Sequence, residues 1–272
     1  MPRKEVKNCQ TFYQHIGKSS KTILLLHGWR HDWQAWSSLV PVLSGEYSLI
    51  IPDLPGFGRS GSPEHGWSTA EYVDWLIAFL RQLEITELEA VIGHSYGGKL
   101  ASFGWLKAGT QLPLVRQGLF LISPSGVPNS LPLSSRLLKR GLGLIPKSLK
   151  RGLLTPWRQK LYQQIDPDAD YLRATPFQEA TLNKILSEDI RQHVPKPTDL
   201  PLRLCWGELD RALPAATAYD WLKLSRQSHV FNVPSAGHTV HLEKPELFNI
   251  WLNTWLNTAD LSAEINHEDQ IK

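Results

Sequence analysis

The stretch Gly93-His94-Ser95-Tyr96-Gly97 joins two segments whose patterns demand different structures. Residues 88–92, apolar apart from Glu89, form a run of strand length, and Gly98-Lys99-Leu100-Ala101-Ser102-Phe103 reads as a helix. Only a very tight turn connects a strand to a helix in so few residues. Side chains at positions 93 and 97 would collide with neighbouring backbone there, so glycine is needed. A G-x-S-x-G turn of this kind holds its serine in a strained conformation at the end of a sheet. The following helix N-terminus favours negative charge that develops beside it. Ser95 is therefore a candidate nucleophile.

The rest of the chain supplies the sheet that such a turn requires. Apolar runs of strand length recur at 22–26, 47–51, 118–122, 202–206 and 230–233. Helical patterns lie between them at 32–43, 69–83 (with Ser68 as cap), 96–107, 214–224 and 244–256. This alternation predicts an α/β fold with a mostly parallel central sheet flanked by helices. Residues 8–16 are expected to form an antiparallel hairpin at its edge. The alternation stops between 127 and 197, where a leucine-rich, proline-punctuated stretch of helical period reads as an inserted helical cap, or lid. The expected organisation is a core of residues 1–126 and 198–257, a cap of residues 127–197, and a polar C-terminal tail of residues 258–272.

Composition narrows the class. At 272 residues, 42% hydrophobic and 20% charged, the chain can bury a large core and fits a soluble protein. A net charge of +3 is too small to imply a nucleic-acid partner. Cys9 and Cys205 lie far apart, and Cys205 falls in a predicted buried strand, so no disulfide is expected. The N-terminal charges (Arg3, Lys4, Glu5, Lys7) are not followed by a signal-length apolar run. A cytoplasmic location is the expectation.

A serine nucleophile needs a base, and the base an orienting acid. On sheets of this kind the chain order is Ser, then Asp or Glu, then His. Asp210 follows the 202–206 strand and His238 follows the 230–233 strand, at the carboxyl ends where open α/β sheets place their sites. No Asp or Glu occurs from Ala90 to Ile165, so the loop after residue 122 offers no rival acid. Glu208 is the nearest competitor to Asp210, and His241 to His238, although His241 stands at a helix entrance where a structural or capping role fits better. His94 is expected to be packed and hydrogen-bonded. The remaining histidines lack metal-ligand spacing, so neither a metal nor a cofactor is expected.

Two backbone N–H donors would complete an oxyanion hole: Tyr96, after the nucleophile, and Trp29, in the His27-Gly28-Trp29-Arg30 loop. Gly56-Phe57-Gly58-Arg59-Ser60-Gly61 matches G-x-G-x-x-G literally, yet Pro52 and Pro55 precede it and Pro63 follows it. The dinucleotide fingerprint must open a helix directly, so this segment reads as a structural loop near the site.

Taken together, His27-Gly28-Trp29, Asp53-Leu54-Pro55-Gly56-Phe57-Gly58-Arg59-Ser60, Gly93-His94-Ser95-Tyr96-Gly97-Gly98, Gly207-Glu208-Leu209-Asp210 and Gly237-His238 resemble the α/β-hydrolase fold superfamily in order and spacing. The resemblance covers residues 20–257 apart from the cap. It implies a lid above the site and an acyl-enzyme mechanism. Arg30 stands where many relatives carry a second glycine, and is expected to narrow the pocket or put a cation near its mouth. A serine rather than an aspartate nucleophile argues against epoxide opening or halide displacement through an aspartyl ester.

Residues 127–165 carry eight basic residues (Arg136, Lys139, Arg140, Lys147, Lys150, Arg151, Arg158 and Lys160) and no acid. This reads as a solvated outer face over apolar residues packed inward. Attraction of anionic substrates, or transient contact with an anionic membrane surface, are the sharper alternatives. The expected function is hydrolysis of a small or lipid-like carboxylic ester or thioester. Carbon–carbon bond hydrolysis of a diketone-type substrate, or a catalytically silent ligand-binding role, are the alternatives.

Overall fold

The computed structural model describes residues 2–107, 111–127 and 174–257. Strands and helices alternate along most of these segments, in the order β1 (Arg3–Val6), β2 (Cys9–Ile16), β3 (Thr22–Leu26), α1 (Val40–Leu43), β4 (Ser48–Pro52), α2 (Thr69–Gln82), β5 (Glu87–Leu88), β6 (Ala90–His94), α3 (Tyr96–Trp105), β7 (Leu114–Val115) and β8 (Leu119–Ile122). After the undescribed residues come α4 (Pro176–Ile185), β9 (Leu202–Gly207), α5 (Ala218–Leu222), β10 (Ser228–Val233), α6 (Val240–Glu243) and α7 (Pro245–Asn257).

The main sheet has eight strands in the order β1-β2-β4-β3-β6-β8-β9-β10. From β4 to β10 every pairing is parallel, and only β1–β2 and β2–β4 are antiparallel. Side chains alternate across this sheet, which places a core on each face. Ile23 and Leu25 of β3 pack with Trp36, Ile51, Ile92, Phe120, Phe248 and Leu252. Leu24 and Leu26 turn the other way, toward Trp75, Leu76, Phe79, Leu100 and Trp206. Helices therefore cover both faces, as expected of an α/β fold.

Some boundaries differ from the sequence reading. The hairpin at the sheet edge is β1–β2 rather than residues 8–16, and it turns at Lys7 and Asn8, which have φ of 50° and 58°. The 32–43 segment is not one helix. Asp32 caps a 3-10 turn over Trp33–Trp36 by accepting from the Gln34 N–H at 2.7 Å, and a separate short helix starts at Val40 with Pro41 in its first turn. The last helix, α7, matches the expected 244–256 to within one residue at each end, and a separate short helix not expected from the sequence, α6, precedes it, set off by Lys244 at φ −135° and ψ 58°. Ser68 does cap α2, forming a capping box with Glu71.

Of the expected cap, residues 128–173, and with them all eight basic residues, lie outside the described residues, as does the 258–272 tail. The described part beyond Ala174 packs onto the core. Gln178 donates to the Gly56 carbonyl at 2.9 Å, the Thr181 hydroxyl accepts from the Trp67 N–H at 2.9 Å, and Ile190 N–H donates to the Gly126 carbonyl at 2.8 Å. Among the described residues no helix is long and apolar enough to cross a membrane.

Candidate active site

Strand β6 ends at His94, and α3 begins at Tyr96, leaving Ser95 alone between them. Its backbone takes φ 50° and ψ −110°. That conformation costs a non-glycine residue about 1–3 kcal/mol and persists only where the surroundings enforce it. Here the Ser95 N–H donates to the Ile122 carbonyl of the neighbouring β8 at 2.9 Å. Close packing enforces it too: a Cβ on Gly93 would lie 2.8 Å from the backbone of Gly97 and Gly98.

The structure brings Ser95, His238 and Asp210 into one hydrogen-bonded line. His238 Nε2 lies 3.0 Å from Ser95 Oγ, and His238 Nδ1 lies 2.8 Å from Asp210 Oδ2. A carboxylate only accepts, so Nδ1 carries the proton and Nε2 is left to accept from the serine hydroxyl. Asp210 is 5% exposed, and its other oxygen accepts from the Ala212 and Leu213 N–H groups at 2.9 and 2.8 Å. Glu208, two residues earlier, points to solvent. The loop carrying His238 is held by a residue that sequence reading passed over. Glu243 accepts from Gly237 N–H at 2.7 Å and from the Thr239 N–H and hydroxyl at 3.0 and 2.8 Å. Partial burial raises the Glu243 carboxyl, but these hydrogen bonds outweigh it and leave it below the usual carboxylate range.

The His27-Gly28-Trp29-Arg30 loop lies against the elbow, with the Trp29 and Tyr96 rings edge to face at 5.6 Å. Among the described residues no acceptor meets the main-chain N–H of Trp29 or Tyr96. The loop is tied down from below. His27 donates from Nδ1 to the Gly28 carbonyl at 2.8 Å and accepts at Nε2 from the Leu54 N–H at 2.9 Å. Burial pushes His27 down to about 3, so the ring stays neutral and can accept. Asp53 holds the same region by accepting from the Trp33 and Arg59 N–H groups, both at 2.7 Å. The 56–61 segment is a turn-rich loop stitched by Ser60, which donates to the Asp53 carbonyl at 2.6 Å and accepts from Phe12 N–H at 2.9 Å. Arg30 is half-buried with φ 62°.

The rival histidines have structural places. His94 is buried and donates from Nε2 to the His238 carbonyl at 3.0 Å. His241 is 2% exposed, packs on Trp36 with ring centres 4.8 Å apart, and caps no helix. Behind the elbow lies an ion pair between a buried lysine and a partly buried glutamate that local sequence did not reveal. Lys99 of α3 meets Glu188 at 3.0 Å and donates to the Ile185 carbonyl at 2.6 Å. Glu188 also accepts from the Thr69 N–H at 3.0 Å and from the Thr69 hydroxyl. Among the described residues no three His, Cys, Asp or Glu side chains are disposed to hold a metal ion.

Comparison with known proteins agrees with this architecture. Over 263 residues the chain is 24% identical to the uncharacterized hydrolase YugF of Bacillus subtilis (strain 168), covering 90% of this chain and 93% of that protein. Over 91 residues it is 35% identical to the pimeloyl-[acyl-carrier protein] methyl ester esterase of Edwardsiella ictaluri (strain 93-146), a match to 34% of this chain and only 33% of that enzyme's length. The solved structure of a membrane phospholipase A superposes with a TM-score of 0.73 at 22% identity, covering 95% of this chain and 86% of that one. That likeness speaks for the fold alone. The profile of the alpha/beta hydrolase family matches residues 23–249, and the chain is therefore a member of that family of hydrolases.

Proposed function

We propose that the protein is a serine hydrolase that cleaves a carboxylic ester or thioester through an acyl-enzyme. The observation that carries this reading is the line Ser95 Oγ–His238–Asp210, at 3.0 and 2.8 Å, on a strained elbow. In this reading His238 takes the Ser95 proton as the oxygen attacks the substrate carbonyl. Asp210 keeps His238 in the required tautomer and stabilises its protonated form. The Trp29 and Tyr96 N–H groups receive the oxyanion, each donor being worth about 10²–10³ in rate. His238 then protonates the leaving alcohol or thiol. It next deprotonates a water, which attacks the acyl carbon and releases the acid and free Ser95.

One similar protein acts on an ester by name, the methyl ester esterase. It supports an ester substrate here without choosing its acyl or alcohol part. Incubation with a fluorophosphonate probe tests the reading. The expected result is covalent labelling on the peptide that contains Ser95, and loss of both labelling and ester turnover in Ser95→Ala, by a factor of about 10⁴–10⁶. Turnover that survives in Ser95→Ala would refute it.

A further inference from the structure

His94 makes contacts that a packing residue does not need. It directly precedes Ser95, yet its ring reaches the two loops that complete the site. Its Nε2 donates to the main-chain carbonyl of His238 at 3.0 Å, a contact across 144 residues of sequence. Its Nδ1 edge lies against Gly28: a Cβ there would come within 2.6 Å of Nδ1, 3.0 Å of Cε1 and 3.4 Å of the Ser95 Cβ. The ring also stacks on His31, with centres 5.4 Å apart and planes 16° apart. His31 belongs to the same loop as Gly28, to whose carbonyl its N–H donates at 3.2 Å. His241 closes the remaining side at 4.7 Å.

We propose that His94 is a positioning residue: one imidazole, fixed beside the nucleophile, sets both the loop that carries His238 and the loop that carries Trp29. The inference rests on the reading of Ser95 as nucleophile and His238 as base. A carbonyl only accepts, so Nε2 carries the proton and Nδ1 is bare. The bare nitrogen is what lets the Gly28 backbone approach so closely. A second proton at Nδ1 would be buried there without an acceptor among the described residues. Burial among His31, His238 and His241 holds the ring neutral. Misplacing a base by about 1 Å costs about 100-fold in rate, so a side chain that only fills the space should leave the enzyme folded and slow.

The test compares His94→Leu, His94→Gln and His94→Asn in the full chain, with p-nitrophenyl acetate as the probe. Leucine keeps volume and removes the donor. Glutamine places an amide donor near the Nε2 position, and asparagine near Nδ1. Expected are a fall in kcat of about 100-fold for His94→Leu with KM within about twofold, at least tenfold recovery in His94→Gln, and none in His94→Asn. A kcat for His94→Leu within about threefold of wild type would overturn the proposal, as would recovery in asparagine rather than glutamine. If His94→Leu does not fold, the glutamine–asparagine contrast decides. ¹⁵N NMR of the wild-type ring supplies a readout independent of activity. It should show Nε2 protonated and Nδ1 bare, and the opposite tautomer would overturn the proposal. Failure of the hydrolase reading is seen separately, as turnover retained in Ser95→Ala.

Discussion

Acid should unfold this protein partly through His241, and replacing that one side chain should reveal how much. The ring is buried against Trp36 and Phe248, at 4.8 and 6.2 Å, and neither nitrogen has a partner among the described residues. Burial, reinforced by His31 and His238, pushes its pKa from 6.5 down to about 3. The unfolded chain therefore binds a proton below about pH 6.5 that the folded chain refuses. Stability is unaffected above that pH and falls by about 1.4 kcal/mol per unit below it, until the pH nears the folded value. At pH 4.5, two units down, the cost is about 3 kcal/mol for this residue. His27, also near 3, adds a similar slope of its own.

His241→Phe keeps an aromatic ring in the stack and cannot be protonated. Any cost of fitting the larger ring is independent of pH, so the difference in slope is the observable. Urea unfolding followed by tryptophan fluorescence, at pH 7.5, 6.5, 5.5 and 4.5, gives the two stability curves. The variant should gain on wild type by about 3 kcal/mol between pH 7.5 and 4.5, with nearly all of the gain below pH 6.5. Parallel curves, differing by the same amount at every pH, would refute the argument that a neutral, buried His241 resists acid.

Two further expectations follow from the geometry. Asp210→Asn should lower kcat by about 10⁴-fold, by reversing the tautomer of His238, while Glu208→Gln in exposed sequence should leave it within about twofold; steady-state ester hydrolysis of the two variants separates them. Lys99→Met leaves the Glu188 charge beside a helix start without its cation and should cost about 3 kcal/mol in urea unfolding, whereas Lys99→Met with Glu188→Gln should recover at least half of that.

The strands were readable because a parallel sheet covered on both faces makes its members continuously apolar, and β3 keeps the bounds expected of residues 22–26. The line of Ser95, Asp210 and His238 was readable for a different reason: each follows a strand whose end must face the same edge of the sheet. Helix breaks were less visible. A helical period runs through Ser37 and Ser38, and only local backbone geometry shows that the chain stops and restarts there. The supports of the site were hidden altogether. Lys99 and Glu188 meet from elements far apart in sequence, and the His94 bond to the His238 carbonyl uses a backbone atom that every residue possesses. No periodicity encodes such a contact, because it depends on how two loops settle over the finished sheet.

The order of strands in the sheet carries a consequence for synthesis. From β3 onward, β6, β8, β9 and β10 add to one side in the order in which a ribosome delivers them. Ser95 emerges with the third of these five strands still to come, and His238 follows it by 143 residues. At about 5–20 residues per second, His238 emerges roughly 7–30 s after Ser95. During that interval the exposed edge of the growing sheet passes from β6 to β8 to β9, and Ser95 lacks its hydrogen bond to His238. The hydrogen-bonded line of Ser95, His238 and Asp210 therefore closes only once β10 and the loop after it have emerged.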